Sequence, residues 1–237
     1  MINWLHSLLH DPSRGWDPVP SAHSRDYSQR AWEDLQPGLV DDLERRTGGL
    51  KGKRVLDLGA GPAQYSIEFA RRGALVVWHD ISRNYQRRAR QLASDAGVEV
   101  EFSLGYLEQA RKFLASPFDL VFCRLCWNYC RGDRAFARLI YRLIKPGGAA
   151  YVEANTEVFG APAGLRRCIY FLNNRLSWKL GHPYPPRGRI ARMFLRFPLD
   201  TAFVDQSSAL VDRLFLIKTA GNPPAGDGAC GTKAPCA

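Results

Sequence analysis

Arg54-Val55-Leu56-Asp57-Leu58-Gly59-Ala60-Gly61-Pro62-Ala63 is the stretch that decides how the rest of this chain is read. Its first five residues form an apolar run of strand length, and a glycine-rich turn follows at once. Beyond the turn, Tyr65, Ile67, Phe69 and Ala70 suit a helix over Pro62 to Arg72, with Pro62 in the first turn and Gly73 as the stop. Glycines in such a turn let the backbone approach a ligand closely, and the start of the helix offers free N–H groups.

Outward from this unit the pattern repeats. Leu75 to His79 reads as a second strand, and Ser82 can cap a helix that runs through Arg90 towards Ala96 and ends at Gly97. Val98 to Phe102, Phe118 to Cys123 and Ala149 to Glu153 read as the third, fourth and fifth strands. Between the last two, Asp133 to Ile144 is amphipathic, with Phe136, Leu139, Ile140 and Leu143 on one side. Strands alternating with helices imply right-handed βαβ units and a parallel sheet covered on both faces. Arg213 to Thr219 reads as a late strand, paired in a hairpin with Thr201 to Gln206.

Ligands of such sheets bind at the carboxyl ends of the strands, near the point where strand order reverses. That rule places Asp57–Gly61, Asp80, Gly105–Glu108 and Arg124–Tyr129 on one rim. Asp80 stands at the end of the second strand, where a carboxylate can accept both hydroxyls of a ribose. A dinucleotide fingerprint would need glycine at the sixth position of the turn, which here is Gln64. An acid two places before the first glycine, here Asp57, is also foreign to that fingerprint and suits a cationic ligand. The residues therefore favour a nucleoside sulfonium over a nicotinamide dinucleotide.

Residues 54–153 resemble the class I S-adenosylmethionine-dependent methyltransferase family. VLDLGAGPA is similar to its first motif, HDIS to its ribose-binding second strand end, FDLVFCRL to its fourth strand and LIKPGG to the turn before its fifth. The resemblance implies an α/β, Rossmann-like sandwich: a mostly parallel seven-stranded sheet, last strand antiparallel, with helices on both faces. It implies S-adenosyl-L-methionine as cofactor, with Asp57, Gly59 and Gly61 as contacts and Asp80 on the ribose. Ala63 (in place of the third motif glycine), Tyr106, Leu107 and Arg124 complete the expected cofactor set. The family commonly has an acid after the third strand, near the adenine amino group, where this chain has Tyr106. Either Glu108 takes that role or stacking and backbone contacts hold the adenine.

The expected organisation is a helical cap or lid over residues 1–50, a methyltransferase domain over 51–221 with a basic insert at about 160–197, and a disordered tail over 222–237. Thirty-three Lys+Arg against 23 Asp+Glu give a net charge of +10, which biases the protein towards anionic partners. Arg166, Arg167, Arg175, Lys179, Arg187, Arg189, Arg192 and Arg196 lie between Gly160 and Phe197 with no Asp or Glu among them. Arginine forks suit phosphate and carboxylate, so the segment is expected to face an anionic small-molecule or lipid-linked acceptor, with Arg187, Arg189 and Arg192 as substrate residues. The interleaved Tyr170, Phe171, Trp178, Tyr184, Phe194 and Phe197 would also suit single-stranded RNA, and a solvated cationic face, a partner protein or a membrane surface are the other readings of the segment.

Asn128 and Tyr129 follow the fourth strand and join the expected acceptor side. His182, in a Pro-rich loop beyond the core, is the histidine placed to act as a base. Cys123, Cys126 and Cys130 have a metal-like spacing, but Cys123 ends a buried strand and the thiols read as packing, so no metal is expected. No run approaches the ~18–20 apolar residues of a membrane span, and the first ten residues lack a signal peptide's basic flank, so the cytoplasm is the expected compartment. A nicotinamide oxidoreductase and a cofactor-binding protein without transferase activity are the rival classes.

Overall fold

β1 (Arg54–Leu58) is buried on both faces, with Val55, Leu56 and Leu58 fully out of solvent. Alternation along it divides the core. Val55 joins Tyr65, Phe69 and Phe122 on one face of the sheet, while Leu56 and Leu58 join Val121, Phe136 and Ile140 on the other. In this computed structural model, residues 9–156, 163–176 and 181–221 are described.

The elements run α1 (Ser21–Glu33), α2 (Pro37–Arg46), β1, α3 (Gln64–Arg71), β2 (Leu75–Asp80), α4 (Arg83–Asp95), β3 (Val100–Leu104) and β4 (Phe118–Arg124). Then come α5 (Asp133–Leu143), β5 (Ile144–Asn155), α6 (Ala163–Arg175), α7 (Arg189–Phe194), β6 (Leu199–Asp205) and β7 (Val211–Lys218). They build a seven-stranded sheet in the order β3-β2-β1-β4-β5-β7-β6. β1 to β5 are parallel, and β7 runs antiparallel to both β5 and β6. The order reverses between β1 and β4, so the crevice between their carboxyl ends is where such a sheet binds ligands. Among the described residues, no helix is long and apolar enough to cross a membrane.

Several boundaries shift from the sequence reading, β6 and β7 each starting two residues earlier, and three of the differences have a clear local reason. α3 begins at Gln64 rather than Pro62, because Gly59, Gly61 and Ala63 all take positive φ and keep the turn out of helical geometry. β3 begins two residues later than expected. Gly97 is left-handed (φ 66°) and the Val98 N–H donates to Ala93 O at 3.0 Å, so Val98 closes the helix instead of opening the strand. β5 begins at Ile144, which already pairs with Phe118 of β4. Ser82 caps α4 as expected, accepting the Tyr85 N–H at 3.1 Å. The expected tail with Cys230 and Cys236 lies outside the described residues.

Candidate active site

The turn after β1 is held from below and from the side. The Gly59 and Ala60 N–H groups both donate to His79 O, and the Trp78 indole donates to Gly61 O at 2.9 Å. At Gly59 (φ 75°) a Cβ would stand 2.5 Å from Cys126 Sγ, so only glycine fits between the turn and the segment after β4.

Asp57 is almost fully buried at the end of β1, and its Oδ2 accepts the Ser66 hydroxyl at 2.6 Å. Burial pushes its carboxyl up to about 7; the Ser66 hydrogen bonds oppose that shift and the Asp80 charge adds to it. Asp80, buried at the end of β2, accepts the Gly61 N–H at 3.0 Å and the Ser82 N–H at 2.9 Å. Burial raises its carboxyl too, against the pull of those backbone donors. His79 is buried, with Nδ1 2.7 Å from Ser103 Oγ and Nε2 2.8 Å from Tyr106 O. Desolvation lowers its pKa to about 4, so it is a neutral packing residue.

The N-terminal segment crosses this rim. The Asp17 carboxylate accepts the Ser82 hydroxyl, the Asn84 N–H and the Val19 N–H. The Tyr106 hydroxyl donates to His10 O at 2.6 Å, and the Trp16 ring lies nearly parallel to the Tyr106 ring at 6.5 Å. Tyr27 of α1 is 3.9 Å from where a Gly61 Cβ would be. No motif marks Trp16, Asp17 or Tyr27, and sequence reasoning missed them, as it missed Ser66 and the placing of Cys126.

Leu107 is buried and packs beside Gly59, while Glu108 turns away, accepting the Arg131 N–H at 2.6 Å. Arg124 donates from Nε to Glu153 Oε2 at 3.1 Å and lies over the Tyr65 ring, so its charge is matched at the back of the cleft. Asn128 and Tyr129 form a 3-10 turn just past β4, and the Tyr129 ring meets the His182 ring edge-on at 4.8 Å. That contact brings the Pro-rich loop to the β4 rim.

The three arginines of the basic insert do not converge. Arg187 donates to Gln206 O, and Arg192 stands beside Gly188 near the same Gln206. Arg189 turns instead to Asp133, with Nε 2.9 Å from Oδ2. Asp133 in turn accepts the Trp127 indole N–H at 2.9 Å, so Arg189 supports the segment after β4. The Cys123 and Cys126 thiols are buried 3.4 Å apart, and the Cys126 S–H donates to Leu58 O. Contact with Cys123, together with burial, holds the Cys126 thiol well above its ordinary pKa. Among the described residues, no group of three or more His, Cys, Asp or Glu side chains is arranged for a metal.

Residues 55–148 match the family model of a methyltransferase domain. They are a class I methyltransferase domain. A ubiquinone biosynthesis O-methyltransferase of Aeromonas salmonicida is 30% identical over 119 residues, covering 50% of this chain and 50% of that protein. The chain thus spans about half the length of the curated relatives it matches. A protein of Methanococcus maripaludis assigned as an S-adenosyl-L-methionine-dependent methyltransferase superposes with a TM-score of 0.60 at 17% identity, covering 84% of this chain and 93% of that one. The [4+2]-cyclase SpnF has a TM-score of 0.58 at 17% identity, covering 78% and 81%. At such identities the likeness shows the fold alone.

S-adenosylmethionine is the cofactor of this domain family. The methyltransferase domain's own residues fit it. The buried Asp57 carboxylate has a hydroxyl donor but, among the described residues, no ion-paired Lys or Arg, and Gln64 on the same turn has a buried Oε1 with no donor. An ammonium group is the kind of donor and charge that the Asp57 carboxylate lacks, and Gln64 Oε1 leaves a further acceptor unmet. Asp80 presents a second buried carboxylate one strand away, with lone pairs left for hydroxyl donors.

Proposed function

We propose that the chain is an S-adenosylmethionine-dependent methyltransferase that methylates a hydroxyl group of an anionic small molecule. The observation that carries the reading is Asp57, a carboxylate raised to about 7 by burial at the turn where the cofactor's cationic end would sit. When bound, the cofactor supplies an electrophilic methyl group on a good leaving group. Transfer to a hydroxyl would release that hydroxyl's proton, so the chain would need a base beside the acceptor. Asp57 would hold the ammonium end of the cofactor and Asp80 its ribose hydroxyls, and the Gly59–Gly61 turn would let the backbone close on it. His182 would take the proton, a reading supported by its ring contact with Tyr129 just past β4. Alignment and exclusion of water supply most of such catalysis, and the N-terminal segment over the rim serves the second need.

A hydroxyl acceptor is supported by the O-methyltransferase names of the relatives, and an anionic one by the net charge of +10. The cyclase that shares the fold keeps a second reading in view: cofactor binding without methyl transfer. Isothermal calorimetry with S-adenosylhomocysteine and NAD tests the binding half, and tight NAD binding with no response to S-adenosylhomocysteine would refute it. Turnover of methyl-labelled cofactor with cell extract, followed by identification of the labelled product, tests the transfer.

A further inference from the structure

α6 is packed with its polar side inward. Asn173 is buried, Asn174 Oδ1 accepts the Asp133 N–H at 2.9 Å, and Tyr170 lies under the Arg189 guanidinium. The opposite side is apolar and faces solvent: Leu165 is 53% exposed, Phe171 54% and Leu176 50%. Leu165, Cys168, Leu172 and Leu176 follow one another at helical spacing and form a single stripe, with Phe171 on its flank. An amphipathic helix inside a fold normally hides such a stripe. Here the fold takes the amides and leaves the leucines out, which marks a surface that something else covers.

Charge identifies the partner. The segment from Gly160 to Phe197 carries eight Lys or Arg residues and no acid, and Arg175, Arg187, Arg192 and Arg196 are all exposed. Arg175 falls between Phe171 and Leu172 in helical projection, on the stripe side, so a second copy of the same surface would bring like charges together. An anionic phospholipid bilayer offers both what the stripe needs and what the cations need. The inward side of α6 is tied to the segment after β4, because Asp133, which holds Asn174, also holds Trp127, so the stripe is turned away from that contact.

We propose that α6 lies on the surface of an anionic membrane, with the stripe of Leu165, Phe171 and Leu176 seated in the bilayer interface.

The test is co-sedimentation of the full chain, without cofactor, with vesicles of phosphatidylglycerol and phosphatidylcholine or of phosphatidylcholine alone. Binding to the anionic vesicles is expected to be at least about tenfold tighter, and to be reversed by roughly 0.5 M salt. Combined Leu165→Ser, Phe171→Ser and Leu176→Ser should weaken it by at least about tenfold, with S-adenosylhomocysteine affinity and melting temperature unchanged. Absence of wild-type binding to anionic vesicles would overturn the proposal, as would a triple variant that binds them equally well. A wild-type dimer in vesicle-free solution that the triple variant dissociates would assign the stripe to a second copy and overturn it too. Because cofactor affinity is measured separately, failure of the membrane site and failure of the methyltransferase reading are distinguishable.

Discussion

If Asp57 meets the cationic end of the cofactor, cofactor affinity must depend on pH below neutrality, and Asp57→Asn must remove most of that dependence. Burial holds the carboxyl at about 7, so at pH 5.5 nearly all of it is protonated and unable to pair with a cation. Binding a cation favours the ionised form, so affinity rises as pH rises towards 7. For a free-protein pKa of about 7 and a bound pKa well below 5, affinity should rise about 16-fold between roughly pH 5.5 and 7, about 1.6 kcal/mol. That window lies below the range where the cofactor's own amino group loses its proton. The same shift works against folding. The folded carboxyl binds its proton more tightly than the unfolded one, so stability is highest below the unfolded pKa of 3.8 and declines as pH rises towards about 7. The full shift corresponds to about 4 kcal/mol as an upper bound. Asp57→Asn should therefore melt higher than wild type above pH 7 in the absence of cofactor, while binding S-adenosylhomocysteine more weakly. Calorimetric titration across the window and a parallel melting series read both effects. A wild-type affinity that stays flat, or an Asp57→Asn variant that keeps both the affinity and its slope, would refute the pairing.

Two further substitutions test the rest of the rim. Asp80→Ala removes hydrogen bonds to a ligand's hydroxyls as well as those from Gly61 and Ser82, so cofactor affinity should fall at least about tenfold, measured by calorimetry on folded protein. Gly59→Ala would drive a Cβ into Cys126 at 2.5 Å from Sγ, on a backbone of φ 75°, and should lower unfolding free energy by about 2 kcal/mol or more in denaturant titration.

What the sequence by itself determined is what is local in origin. Apolar runs and turn residues marked β1 to β5, Ser82 marked the start of α4, and the spacing from Asp57 to Asp80 put two carboxylates on adjacent strand ends. Each of these follows from neighbours along the chain, through side-chain alternation, capping or the glycine turn. Tertiary structure decided which distant residues complete the rim. Asp17 reaches Ser82 across 65 positions, and the Cys126 thiol reaches Leu58 O across 68. It also decided the fate of the basic insert. The sequence shows eight cations but not that Arg189 is drawn to a buried Asp133, nor that Asn173 and Asn174 turn α6 so that its leucines face outward. Periodicity reveals that a helix has two faces; which face is buried depends on the hydrogen-bonding partners that the folded chain brings to it.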